Sequence, residues 1–243
     1  MLPVKSRYGT SPVVFSLMSN DIFPPADALG DAEFLGSRSM DPDMLKEAYW
    51  NGYFPWPDNS IDFIPWAHPA ERGIIPLAEF HLPHMVARMV RQKKFELRID
   101  TAFEQVIRAC SQRPNGEESW ITADIIANYC QLHRDGWAHS FEAWNRESGE
   151  LAGGLYGISI GKIFAGESMF FRESGASKFA LAFLGAVLTA CDVDILDTQM
   201  VTPTTAMFGS RYIPRAEYIA HLHKLRGTPL STAQLRDALL RCC

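Results

Sequence analysis

The sequence predicts an α/β (α+β) fold, and two stretches carry that prediction. In the first, 153–178, Ile158 and Ile160 precede Gly161, and Ile163 and Phe164 follow it. β-Branched and aromatic residues on both sides of a glycine read as two adjacent strands joined by a tight turn. The stretch continues to Gly166-Glu167-Ser168-Met169, which sets an acid, a hydroxyl and a soft apolar side chain at the expected strand end, and then to a helix start. In the second stretch, an apolar helix over 177–191 is followed by an apolar strand ending in Asp197-Thr198-Gln199. A helix between two strands of one sheet crosses over and leaves them parallel. Alternate residues of a strand share a face, so Asp197 and Gln199 are expected to point the same way.

The other elements follow in chain order. Residues 1–20 lack periodicity and are expected to form an arm or to be partly disordered. Asp41-Pro42 reads as a helix cap followed by proline at the first helical position, with Leu45, Ala48 and Tyr49 at helical spacing and Gly52 as the stop. Tyr53-Phe54-Pro55-Trp56 comes next and admits two readings, a packed aromatic corner or a flat wall on which a base stacks. Residues 57–80 are rich in turn formers and aromatics. An amphipathic helix is expected over 81–94, with Pro83 in its first turn and Leu82, Met85, Val86 and Met89 as its inward stripe. Arg88 and Arg91 lie on another face, and Lys93, Lys94 and Arg98 follow. This densest basic cluster is either solvated surface or a ridge that contacts phosphates. Helices over 101–110 and 122–132 come next, separated by a polar loop at 111–118, with Phe103, Val106, Ile107, Ile125, Ile126 and Tyr129 inward. Strands over 141–144, 151–160, 162–168 and 193–198 form the sheet, and short helices are expected after Arg215 and over 232–240.

Composition bounds the function. The 243 residues are 47% hydrophobic and 21% charged, with a net charge of -5, so any contact with nucleic acid must come from a local basic patch. No apolar run reaches membrane-spanning length, and no basic segment followed by an apolar core suggests a signal peptide. The five cysteines show no metal-ligand spacing and fit a reducing compartment.

Eight segments together resemble the leucyl/phenylalanyl-tRNA–protein transferase family. They are 48–56 (Ala-Tyr-Trp-Asn-Gly-Tyr-Phe-Pro-Trp), Trp120-Ile121-Thr122, Gly136-Trp137-Ala138-His139-Ser140, Gly153-Gly154-Leu155-Tyr156-Gly157, 164–170 (Phe-Ala-Gly-Glu-Ser-Met-Phe), Ala176-Ser177-Lys178, Asp197-Thr198-Gln199 and Ile213-Pro214-Arg215. They keep the family's order and similar spacing from about 41 to 220. The resemblance implies a small N-terminal domain, placed at 1–80, and an acetyltransferase-like (Gcn5-related) mixed-sheet domain at 81–243. It implies transfer of leucine or phenylalanine from aminoacyl-tRNA to proteins beginning with arginine or lysine, marking them for degradation in the bacterial cytoplasm, without cofactor, metal, membrane or DNA.

By the same match, Asp197 and Gln199 are the catalytic pair and Glu167 lines their site. Leu155, Phe164, Met169, Leu181, Leu184 and Leu196 would form the pocket for the transferred side chain. Trp56, with Tyr49 nearby, and Trp120 would hold the terminal adenosine, and Arg88, Arg91, Lys93 and Lys94 the tRNA backbone. The chain departs from the family pattern in three places: it lacks the Gly-Gly-Asp turn before Asp41, it has an altered aromatic segment over 63–72, and it carries Thr204 where relatives commonly have histidine. A leucyltransferase for acidic N-termini, an acyl-coenzyme A-dependent acyltransferase and a non-catalytic tRNA-binding relative are the alternatives.

Overall fold

The computed structural model describes residues 23–24, 30, 32–57, 62–112 and 119–242, and the backbone alone at 2–6 and 9–15. The polar loop expected at 111–118 falls mostly outside the described residues. The chain divides into two compact units, Met1–Arg72 with Ile213–Lys224, and Gly73–Tyr212 with Leu225–Cys243.

The first unit holds strands β1 (Leu2–Ser6), β2 (Gly9–Phe15) and β3 (Phe34–Ser37), helix α1 (Pro42–Trp50), then β4 (Phe54–Pro55) and β5 (Ile64–Ala67). The sheet order is β1-β2-β3-β5-β4. Residues 2–6 and 9–15 therefore supply strands where an arm or a partly disordered segment was expected, and the rest of 1–20 lies outside the described residues. β1 pairs antiparallel with β2, and β2 pairs parallel with β3. Backbone pairing needs no side-chain alternation, which is why periodicity gave no sign of it. α1 begins as its sequence says: the Asp41 carboxylate accepts from Met44 N at 2.8 Å, and Pro42 opens the helix. Tyr49, Tyr53 and Trp66 are fully buried. The buried Arg72 guanidinium lies 4.4 Å from the Phe54 ring and 4.5 Å from that of Tyr218, and donates to Gly52 O at 3.1 Å. His68 Nδ1 meets the same carbonyl at 3.1 Å. Burial, then the charges of Arg72 and Arg215, depress His68 to about 3, so its imidazole is neutral.

The remaining elements are β6 (Glu71–Pro76), a 3₁₀ turn at Leu77–Glu79, α2 (His84–Gln92), β7 (Phe95–Ile99), α3 (Phe103–Ser111), α4 (Ala123–Arg134), β8 (Ala138–Asn145), β9 (Leu151–Ile160), β10 (Ile163–Phe171), α5 (Ala176–Ala190), β11 (Ile195–Gln199), α6 (Pro203–Ala206), β12 (Arg211–Pro214), α7 (Arg215–Leu225) and α8 (Thr232–Cys242). The sheet runs β12-β6-β11-β10-β9-β8-β7. β10 and β11 are parallel, as the crossover required, while β6/β11, β9/β10, β8/β9 and β7/β8 are antiparallel. The expected mixed sheet of an α/β chain is present.

Consecutive side chains of β9 serve two cores. Leu155 joins the cluster beneath α5 and α8, while Tyr156 stacks edge-on against Phe103 of α3 and Tyr129 of α4. With helices on both faces, every residue of β9 is buried. Gly161 turns the β9–β10 hairpin at φ +66°. At Gly153 a Cβ would lie 2.7 Å from Ala176 Cβ, so glycine lets α5 start tight against the sheet.

Several boundaries differ from expectation. α2 begins after Pro83, which stands just before the helix, and ends where Lys93 turns left-handed at φ +53°. Its inward line is therefore Val86, Met89 and Val90, and Leu82 and Met85 are exposed. Arg98 belongs to β7, where Phe95, Leu97 and Ile99 point inward in strict alternation. β10 continues to Phe171, so Glu167, Ser168 and Met169 lie within a strand and not at its end.

Candidate active site

The parallel pairing of β10 and β11 closes with Ala165 opposite Asp197. Just beyond that rung both strands are irregular. β10 slips against β9 between Gly166 and Ser168, which leaves Glu167 on a bulge. β11 slips against β6 between Asp197 and Gln199, which leaves Thr198 unpaired in the register. Bulges redirect side chains at strand ends, and here they turn two neighbouring strands toward one polar cluster.

The cluster is a chain of contacts. Asp197 is fully buried, and its Oδ1 accepts from Gln199 N at 2.9 Å. Gln199 Nε2 donates to Glu167 Oε1 at 3.3 Å, and Tyr129 OH donates to Glu167 Oε2 at 3.1 Å. Gln199 sits at φ +54°, a left-handed conformation that costs a non-glycine residue about 1–3 kcal/mol and persists only where its surroundings enforce it. The hydrogen bond from its amide to Asp197 is one such constraint. Asp197 and Gln199 are thus brought together as expected, but by a side-chain-to-backbone bond across a bulge. The alternation argument assumed a continuous pleat, and the bulge breaks it.

The apolar set divides. Leu155, Phe164, Leu181, Leu184 and Leu196 are buried in the core beneath α5, and their packing is that of core side chains. Met169 is half-buried against the same cluster and alone of the six keeps a partly open surface. Trp120 is half-buried just before α4. In the first unit Trp56 is half-buried, its ring edge-on to Phe54 at 5.9 Å, whereas Tyr49 is 1% exposed. Tyr49 therefore offers no open ring face for stacking, because its position on the inner side of α1 commits it to the core. On α2, Arg88 and Arg91 are exposed, as are Lys93 and Lys94 after it, and Lys94 Nζ is held 2.6 Å from Glu173 Oε2.

Tyr129 of the cluster and its ring neighbour Tyr156 escaped the sequence reading. Tyr129 was read only as part of an apolar helix stripe, yet it is the one member of that stripe with a hydroxyl to spend. Tyr156 lies in the Gly-Gly-Leu-Tyr-Gly segment, where a hydroxyl inside a wholly buried strand was the available signal. Two carboxylates held by one glutamine, Asp197 by its backbone N–H and Glu167 by its side-chain amide, can orient an amine, disperse its charge and pass a proton. Among the described residues no group of three or more His, Cys, Asp or Glu could hold a metal ion, and no helix is long and apolar enough to cross a membrane.

A site for proton handling and orientation, set where parallel strands part in a mixed sheet, fits a group-transfer enzyme that works on an activated acyl donor. Residues 74–223 match the model of the family described as leucyl/phenylalanyl-tRNA protein transferase. A leucyl/phenylalanyl-tRNA–protein transferase of Novosphingobium aromaticivorans is 44% identical over 83% of this chain and 76% of its own length. One from Chlorobaculum tepidum is 43% identical over 78% of this chain and 96% of its own. The chain belongs to the leucyl/phenylalanyl-tRNA protein transferase family, and it is a transferase. Among solved structures, a GCN5-related N-acetyltransferase from Sphaerobacter thermophilus covers 74% of this chain and 56% of its own at 14% identity and a TM-score of 0.37. L-PGS from Bacillus licheniformis covers 71% and 54% at 10% identity and a TM-score of 0.39. Likeness at that level adds nothing to the assignment.

Proposed function

We propose that this chain moves leucine or phenylalanine from the 3′ end of its charged tRNA to the free amino terminus of a protein that begins with arginine or lysine. The observation that carries the reading is the Asp197–Gln199–Glu167 chain of contacts at the parting of β10 and β11.

The chemistry asks little more than this chain of contacts offers. The aminoacyl ester is already activated, and an α-amino group with a pKa near 8 is partly neutral at physiological pH. The amine attacks the ester carbonyl, an amide bond forms, the ester C–O bond breaks, and the proton lost by nitrogen ends on the departing 3′ oxygen. Orientation and charge dispersal in a dry site supply the acceleration. Gln199 holds the attacking amine in line. Asp197, bonded to the Gln199 amide, disperses the positive charge that develops on the nitrogen. Glu167 attracts the cationic side chain of the acceptor. Met169, adaptable and unbranched, faces the transferred side chain and accepts either leucine or phenylalanine. Trp120 stacks on the terminal adenosine, and Arg88, Arg91 and Lys93 contact phosphates. Charged tRNA places the reaction in the cytoplasm, where the product's new terminus marks it for degradation.

The test is transfer of radiolabelled leucine from charged tRNA to peptides that differ only in their first residue. Label on peptides beginning with arginine or lysine is expected. Label confined to acidic N-termini, or transfer only from acyl-coenzyme A, would reject the reading.

A further inference from the structure

Tyr156 stands in β9 opposite Ser168, one residue past the bulge that carries Glu167. Its side chain is fully buried, with the ring edge-on to Tyr129 at 5.5 Å and to Phe103 at 5.9 Å. Among the described residues its hydroxyl has no hydrogen-bond partner. A phenylalanine would fill the same space without burying an unsatisfied donor, and such a donor costs free energy. The neighbouring ring shows where a hydroxyl in this layer can be used, since Tyr129 OH rests on Glu167 Oε2. Burial, and after it the charge of Glu167, push the Tyr156 phenol well above its ordinary range. The hydroxyl therefore keeps its proton, and Glu167 lies within its electrostatic reach.

The contact from Gln199 Nε2 to Glu167 Oε1, at 3.3 Å, is longer than the usual hydrogen bond. Under the proposed function Gln199 turns this amide toward the acceptor amine. Glu167 then keeps the Tyr129 hydroxyl but loses the Gln199 amide at the moment its negative charge must hold a cationic acceptor, and giving up a donor is costly for a half-buried carboxylate. We propose that Tyr156 is a positioning residue of the transfer site, whose hydroxyl takes over from Gln199 as donor to the Glu167 carboxylate once substrates are bound. The inference rests on the reading of Glu167 as the anchor for the acceptor.

The experiment compares Tyr156→Phe with the unaltered enzyme in leucine transfer from charged tRNA to a peptide beginning with arginine. The expected result is a kcat lower by at least about tenfold, with KM for charged tRNA within about twofold. The melting temperature should be unchanged or raised, because an unpaired hydroxyl has gone. The acid limb of the pH–kcat profile should move to higher pH, because a carboxylate that has lost a donor is harder to keep ionised. In a Glu167→Gln background, Tyr156→Phe should cause no further loss. An unchanged kcat in Tyr156→Phe, or a loss of activity matched by a loss of folded protein, overturns the proposal. The anchor reading fails separately if Glu167→Gln keeps full activity. If Glu167→Gln loses activity and Tyr156→Phe does not, only the role of Tyr156 falls.

Discussion

At the β7–β8 side of the large sheet, the fully buried Glu142 carboxylate accepts from the backbone amides of Thr101 and Ala102 at 2.9 and 2.8 Å, from the hydroxyls of Thr101 and Ser140, and from the Trp144 indole at 3.1 Å. Next to it, Asp100 holds His139 Nδ1 at 2.7 Å, Ser140 N at 2.8 Å and the Thr232 hydroxyl. At the β10–β11 side, Glu167 is half-buried and meets Tyr129 and Gln199 at 3.1 and 3.3 Å. Both regions place carboxylates in one sheet, and they are built to opposite ends. Glu142 and Asp100 are saturated by short bonds that tie strand ends to α3 and α8, which is what a scaffold needs. Glu167 sits half-buried on a bulge, beside a glutamine at positive φ, and two of its contacts are the side chains of Tyr129 and Gln199. The number of donors and the exposure thus set Glu167 apart from Glu142 and Asp100 where residue type does not.

The largest effect should come from the reactive side. Asp197→Ala is expected to lower leucine transfer by roughly 10²–10⁴-fold while charged-tRNA binding persists, as read by single-turnover kinetics and filter binding. A variant with near-normal turnover would remove Asp197 from the site. Next comes the scaffold side. Glu142→Ala strands several buried donors and should cost about 3 kcal/mol or more in urea unfolding, with turnover per folded molecule retained. A stable but inactive Glu142→Ala protein would erase the distinction. The smallest effect depends on pH. Burial by itself would raise Asp100, but the hydrogen bond and charge of His139, then Thr232 and Ser140 N, outweigh it and hold the carboxyl below its ordinary 3.8. Its contribution to stability is full above that value and disappears as pH falls through the lower folded value. Urea midpoints below pH 4 should therefore fall more steeply for the native chain than for Asp100→Asn.

How much of this could be read from the sequence depended on the physics of each element. The β9–β10 hairpin was legible because Gly161 sits between β-branched residues, and α1 because Asp41 and Pro42 mark its start. The parallel strand β11 followed from the apolar α5 crossover. β7 was overlooked although Phe95, Leu97 and Ile99 alternate cleanly, because Lys93, Lys94 and Arg98 stand out as one basic cluster trailing the helix over 81–94. The small strands β3 and β5 are four residues each, and Pro65 interrupts the usual strand signature. At the site, the identities of Asp197, Gln199 and Glu167 came from the family resemblance. The bulges, the positive φ of Gln199 and the surroundings of the Tyr129 and Tyr156 hydroxyls depend on register and packing between elements, which local pattern does not carry. The family resemblance also named Tyr49 and five apolar side chains for the substrate site, and all six are buried in the structure.

The first unit is interrupted in sequence, and this sets an order of events on the ribosome. Its leading part is synthesised by Arg72, yet the residues that complete it, Tyr218 against the Arg72 guanidinium and the buried Leu222, arrive only after 73–212 have emerged. At ordinary translation speeds that wait is on the order of ten seconds. Through it, the nascent segment carries Tyr49, Tyr53 and Trp66 without the helix that completes their unit, and such a segment is what chaperones that bind emerging chains recognise. Premature termination anywhere before α7 would therefore leave both units incomplete.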